Sequence, residues 1–200
     1  MNLKELGDYA FKELGFTHVC GGFGGWIYAD DMNWMCEFLT TNYTRDAELN
    51  VMELGVFQGS TSNMFLCALP KCTFYVVDNF SEGPPSPPYK SIREGFLAMT
   101  THFKDRIKLH EGDSKEIGKD WNTKLDICLI DGCHNGDYPE ADINNFAKHV
   151  VSGGYLLVDD YSMKDVGPAV NSLLKNNPNE WELIRTPVAG MSDVIVFKRK

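Results

Sequence analysis

One stretch constrains this chain more than any other: Asn50-Val51-Met52-Glu53-Leu54-Gly55-Val56-Phe57-Gln58-Gly59-Ser60-Thr61-Ser62. An apolar run ends in an acid, two glycines four positions apart follow, and hydroxyl residues come next. The run suits a strand, the glycines a tight turn with close backbone approach, and Ser60 and Thr61 a helix N-terminus. Strand, loop and helix start in that order are how α/β proteins hold nucleotide-like ligands. The loop reads E-x-G-x-x-x-G. It fits the nicotinamide fingerprint G-x-G-x-x-G poorly, because that pattern crowds its first two glycines around a pyrophosphate. Ser60 and Thr61 can cap the helix, contact ligand, or do both.

Further strand-like runs alternate with helical patterns. The runs are Leu49–Gly55, Thr73–Asp78, Ile107–Asp113, Leu125–Gly132, Gly154–Asp160, Trp181–Thr186 and Val194–Lys198. Helices are expected near Leu3–Leu14, Asp31–Thr41, Ser60–Ala68, Tyr89–His102, Pro139–Val150 and Met163–Lys175. Runs such as Ile127-Cys128-Leu129-Ile130 are apolar throughout, as strands covered on both faces are. The alternation predicts an α/β, Rossmann-like doubly wound sheet, mostly parallel. The last two runs predict a hairpin that adds one antiparallel edge strand. Two hundred residues suggest a single domain, read as an N-terminal helical cap (residues 1–45) on a Rossmann-like core (49–200). Ser81-Glu82-Gly83-Pro84-Pro85-Ser86-Pro87-Pro88 excludes helix and central strand; it is either a surface connection or an active-site lid. The glycine- and aromatic-rich segment Cys20–Tyr28 lacks a preceding strand, so it packs over the site or serves an interface.

Asp78 ends the second strand, where an acid is the expected acceptor for ribose hydroxyls. Two more clusters follow: Ile130-Asp131-Gly132-Cys133-His134 with Tyr138-Pro139-Glu140-Ala141-Asp142, then Gly153-Gly154-Tyr155-Leu156-Leu157-Val158-Asp159-Asp160-Tyr161. The glycine loop resembles motif I of the class I S-adenosylmethionine (SAM)-dependent methyltransferases. The later clusters resemble the subgroup that includes macrocin-type O-methyltransferases and relatives called cephalosporin hydroxylases. The resemblance spans roughly Leu49 to Tyr161; the chain departs from it at Asn135-Gly136-Asp137, inserted before Tyr138. It implies that Glu53 organises the loop and approaches the methionine part of SAM. It implies too that Gly55, Gly59, Ser60, Thr61 and Asp78 line the cofactor site, and that Asp113 or Ser114 faces the adenine. For Asp113 and Ser114, a helix N-cap is the competing role.

Asp131, Asp159 and Asp160 end two neighbouring strands. Three carboxylates there repel unless a cation joins them, and an oxygen-only set favours Mg²⁺. The resemblance implies the same metal set, with Asp131 also contacting SAM. It places a general base at His134, three residues past Asp131, where an imidazole near neutral pKa can accept a hydroxyl proton. The competing role for His134 is structural. The expected function is SAM-dependent O-methylation of a small-molecule hydroxyl, of sugar or natural-product type. The alternatives are metal-independent N- or C-methylation, or SAM binding without turnover. No two-histidine, one-carboxylate iron set accompanies His134, so oxygenase chemistry ranks low.

The formal charge of -9 disfavours nucleic acid as the acceptor. No apolar run reaches membrane-spanning length, no signal-peptide core opens the chain, and the six cysteines form no C-x-x-C pair. A cytoplasmic location is therefore expected, and self-association is left open. Trp26, Tyr28, Trp34, Tyr89 and Tyr161 can stack on an acceptor ring or serve the core.

Overall fold

The order in which strands join decides where ligands collect, and here seven strands form one sheet in the order β3-β2-β1-β4-β5-β7-β6. The computed structural model describes residues 1–2, 4–8, 27–81 and 83–200. The strands are β1 (Asn50–Leu54), β2 (Thr73–Asp78), β3 (Ile107–Glu111), β4 (Leu125–Ile130), β5 (Val150–Val158), β6 (Trp181–Arg185) and β7 (Ile195–Arg199). The helices are α1 (Ala29–Asn42), α2 (Ser60–Ala68), α3 (Ile92–Met99), α4 (Ser114–Lys119), α5 (Tyr138–Phe146) and α6 (Val166–Asn176). Strands β1 to β5 pair in parallel, and β7 pairs antiparallel with both β5 and β6. The expected α/β doubly wound sheet is present. The hairpin closes it on one side, with reversed β7 one place in and β6 on the edge.

Alternation along each strand sends side chains to two separate cores. Val51, Ile127, Leu129, Leu157 and Val196 join Met32, Phe65 and Phe96 on one face. Met52, Cys128, Ile130, Leu156 and Phe197 join Ile143, Phe146 and Val170 on the other. Both faces are therefore covered, which is why the central strands read as unbroken apolar runs.

Strand order reverses between β2-β1 and β4, so β1 and β4 flank the switch point where α/β sheets bind ligands. α4 was not foreseen as an element, because its six residues Ser114-Lys115-Glu116-Ile117-Gly118-Lys119 carry little apolar periodicity. Of the expected N-terminal helix, residues 4–8 are helical; the rest of it, and Cys20–Trp26 of the glycine-rich segment, lie outside the described residues. Residues 83–91 form no helix or strand, and Ser86 N–H donates to Gln58 Oε1 at 3.1 Å, tying this loop to the glycine loop.

Candidate active site

The strand register assembles the site. Leu54 stands beside Val77 and Ile130, and Ile130 beside Val158. One residue further on, the ladder continues: Gly55 N–H donates to Val77 O, Asp131 N–H to Leu54 O, and Asp159 N–H to Ile130 O, at 2.8–3.0 Å. Asp78, Gly55, Asp131 and Asp159 thus form one row along the carboxyl edge. Among the described residues, three non-glycine residues have positive φ: Phe57 (45°), Phe80 (54°) and Asp160 (55°). All three lie in loops leaving this edge, where backbone strain commonly marks a functional site.

The β1–β2 side of the row is internally satisfied. Glu53 is buried beneath α2, where its Oε2 accepts a short hydrogen bond from Ser62 Oγ. Burial pushes its pKa well above the ordinary carboxyl range, with Ser62 opposing the shift. Asp78 Oδ2 accepts from Val56 N–H at 2.7 Å and Phe57 N–H at 3.3 Å, and its Oδ1 from Phe80 N–H at 2.6 Å. This carboxylate shapes the glycine loop while standing half-exposed at its rim.

The two glycines answer to the protein's own packing. A Cβ on Gly55 (φ 79°) would lie 1.9 Å from the Asp131 carbonyl oxygen; one on Gly59 (φ 85°) would lie 2.9 Å from the Phe96 ring. A larger residue at Gly59 therefore meets α3, rather than simply filling space a ligand needs. Gly59 itself is the N-cap of α2, and no side chain caps that helix. Ser60 and Thr61 are thus its first residues and not its cap, and the first-turn amides keep their donors.

Asp113 does cap a helix: its Oδ1 accepts from Lys115 N–H at 2.8 Å. Its Oδ2 accepts from Tyr138 O–H at 2.9 Å, and this bond chiefly holds its pKa low. Ser114 is the first residue of α4.

The β4–β5 side is different. His134 Nε2 lies 2.7 Å from Asp160 Oδ2 and 3.9 Å from Asp131 Oδ1. One ligand atom from each of Asp131, His134 and Asp160 lies within 4.8 Å of the others. Nε2 is buried with the Asp160 carboxylate as its close ion-pair partner. Two carboxylates converging on one buried imidazole suit a cation site.

Charge crowding shows in the titration of these groups. Burial raises Asp131 to about 6, against the pull of His134. The Asp131 and then Asp160 carboxylates raise His134 to about 10. Burial, then Asp131, raises Asp159 to about 8. Asp159 stands outside the converging group; its Oδ1 accepts from Asp160 N–H at 2.8 Å and steadies the left-handed turn that aims Asp160. Of the sequence-nominated metal set, the structure brings Asp131 and Asp160 together, with His134 where Asp159 was expected.

Sequence reasoning missed several residues. Asp142, on α5, is buried with both carboxylate oxygens unpartnered and its pKa raised by burial to about 6. Asp31 of α1 pairs with Arg185 of β6, and its Oδ2 accepts from Asp193 N–H at 2.8 Å. Asp193 in turn holds Ser162, two residues past Asp160. Asp31 lies more than 150 residues from Arg185 and Asp193 in the chain, and no local signal announces these pairs.

Many solved structures share the fold, three of them as follows. The O-methyltransferase NovP has 17% identity and a TM-score of 0.63 over 86% of this chain and 80% of its own. CalS11, a TDP-rhamnose 3'-O-methyltransferase of calicheamicin biosynthesis, has 15% identity and a TM-score of 0.61 over 98% and 92%. MycE, from the mycinamycin pathway and solved with Mg, SAH and mycinamycin VI, has 16% identity and a TM-score of 0.59. The match takes in all of this chain and 53% of MycE. No curated protein matches. Residues 52–161, which carry the whole carboxyl-edge row, match the family described as a methyltransferase domain, and the chain belongs to that family.

Proposed function

We propose that this chain transfers the methyl group of SAM to a hydroxyl oxygen of a small-molecule acceptor, with a divalent cation held at Asp131 and Asp160. The observation that carries the reading is the convergence of Asp131, His134 and Asp160 at the switch-point edge, with His134 Nε2 buried against both carboxylates. SAM supplies an electrophilic methyl, and a cation here would lower the pKa of the acceptor hydroxyl. Asp159 braces Asp160 from outside that group, and water with the acceptor hydroxyl would complete an oxygen-rich set suited to Mg²⁺.

The protein's own residues do the remainder. The free first-turn amides of α2, with Gly55, Gly59, Ser60 and Thr61, receive the SAM tail. Glu53 holds that loop from below. Asp78 meets the ribose, and Asp113 with Ser114 the adenine edge. Transfer requires the acceptor oxygen in line with the methyl, so most of the catalysis is positioning. With both neighbouring carboxylates uncompensated, His134 is pulled to about 10 and holds its proton at neutral pH. A cation held by Asp131 and Asp160 would remove that pull and leave His134 Nε2 able to take the acceptor's proton.

Calorimetry with S-adenosylhomocysteine, followed by labelled methyl transfer to metabolite pools with MgCl₂ or EDTA, tests the proposal. Binding plus Mg²⁺-dependent labelling of a hydroxyl is expected. Metal-indifferent labelling would favour N- or C-methylation. Binding without product from any pool would favour a cofactor-binding protein.

A further inference from the structure

A groove of about 650 Å³ lies off the carboxyl edge, between α6 and the β6–β7 hairpin. Tyr28, Tyr161, Leu174, Trp181, Leu183 and Phe197 form most of its apolar wall. Its volume is that of a small-molecule site. Among its described lining residues the single charged one is Asp193. Both carboxylate oxygens of Asp193 are engaged, by Ser162 N–H at 2.9 Å and Ser162 Oγ at 2.6 Å.

At the foot of the groove Trp181 is 7% exposed, and its indole Nε1 is buried with no hydrogen-bond partner. A buried indole N–H ordinarily finds an acceptor, and leaving it unpaired carries a desolvation cost. Leu183, next on the same face of the edge strand, is 52% exposed and lines the groove. Tyr161, at the groove's upper end, directly follows Asp160. Trp181 and Thr186 are five residues apart along β6 and its exit, so the groove is roughly 16 Å long at strand rise.

We propose that this groove binds a neutral, elongated, ring-bearing molecule that packs along the apolar wall from Tyr161 to Trp181. We assign that molecule as the distal part of the methyl acceptor whose hydroxyl reaches Asp160 and His134; this assignment rests on the methyl-transfer reading. A single monosaccharide or catechol is too short to bridge both ends. A phosphorylated acceptor would find no cationic side chain among the described lining residues, and one carboxylate instead.

The test uses the full chain and prodan, a neutral naphthyl ketone, followed by fluorescence, with S-adenosylhomocysteine measured in parallel by calorimetry. Saturable prodan binding with energy transfer from tryptophan is expected, unaltered by saturating S-adenosylhomocysteine. Leu183→Arg, at an exposed position that folding does not depend on, should weaken prodan more than about tenfold by placing a charge in the apolar wall. The variant should bind S-adenosylhomocysteine as the parent does. Absent saturation, unchanged prodan binding in Leu183→Arg, or displacement of prodan by S-adenosylhomocysteine would overturn the proposal. So would a dimer by sedimentation that Leu183→Arg dissolves while prodan never binds, which gives the face to a second copy. If prodan binds but S-adenosylhomocysteine does not, the methyl-transfer reading fails, and the assignment of the groove to an acceptor fails with it.

Discussion

Five acids stand in or beside one row at the carboxyl edge, yet the two ends of the row are built on opposite terms. At the β1–β2 end, Glu53 and Asp78 are satisfied by the fold: a hydroxyl from Ser62 for one, amides of Val56, Phe57 and Phe80 for the other. At the β4–β5 end, Asp131 and Asp160 converge on one imidazole, and Asp159 is raised to about 8 beside them. One end is finished without ligand, as a rigid cradle must be. The other gathers three carboxylates beside a single imidazole, as a site completed by a cation would. The proposed reaction assigns catalytic chemistry to the second end and shape to the first, so substitutions should divide accordingly: loss of fold or cofactor at one, loss of turnover at the other.

The largest effect is expected at the seam between the two ends. Gly55→Ala puts a Cβ 1.9 Å from the Asp131 carbonyl oxygen at a φ of 79°. The β4 loop must move, so a loss of at least about 4 kcal/mol is expected, in the range of severe core lesions. Urea unfolding measures it. A soluble, parent-like variant would show that the two loops are not locked together.

Next comes His134→Ala, expected to leave S-adenosylhomocysteine affinity near the parent value and to lower turnover by roughly 10²–10⁴-fold, the usual worth of a positioned base. Full turnover at neutral pH would reduce His134 to a structural role. Asp160→Asn probes the same end through charge. In the metal-free parent His134 titrates near 10 and is protonated at pH 8. Deleting one of the two carboxylates that raise it should lower that pKa, and Mg²⁺ added to the parent should do the same. Imidazole NMR against pH reads both; an unmoved titration in each case would separate His134 from the acidic pair.

Legibility followed the range of the signal. The sheet was readable because β1, β4 and β5 are apolar on both faces, and Thr73–Asp78 and Ser60–Ala68 lie where their patterns put them. Motif order placed Gly55, Asp78, Asp131 and Asp159 at strand ends, and the register then made them neighbours. Less legible was what each residue touches. Gly59 was legible as a residue of close backbone approach, but the sequence did not show that Phe96 of α3 is the neighbour a Cβ there would meet. The hydroxyls of Ser60 and Thr61 were read as possible caps, but Gly59 takes the cap position. The departure of Asp159 from the converging group depends on the left-handed turn at Asp160, which composition does not encode. Asp31–Arg185 and the Trp181 groove join residues distant in sequence, and α4 is too short for a period to show.

The smallest effect sharpens the finished end. Glu53 sits beneath α2 with a pKa pushed well up by burial. A carboxyl raised on folding binds more protons folded than unfolded, between the unfolded and folded pKa values. Stability therefore falls as pH rises through that window. Glu53→Gln keeps an acceptor for Ser62 Oγ and removes the titration. The variant should match the parent closely near pH 5 and exceed its melting temperature by a few degrees near pH 8, about 1 kcal/mol in a domain of this size. Because the carboxyl lies under the helix and not at the rim, S-adenosylhomocysteine affinity should change by less than about tenfold, less than one hydrogen bond to a charged group is worth. A variant less stable than the parent at both pH values would mean that Glu53 is ionised in the fold and held by partners stronger than Ser62. An affinity loss far beyond tenfold would bring the carboxylate to the ligand itself, and the β1–β2 end would then be as incomplete without its ligand as the β4–β5 end.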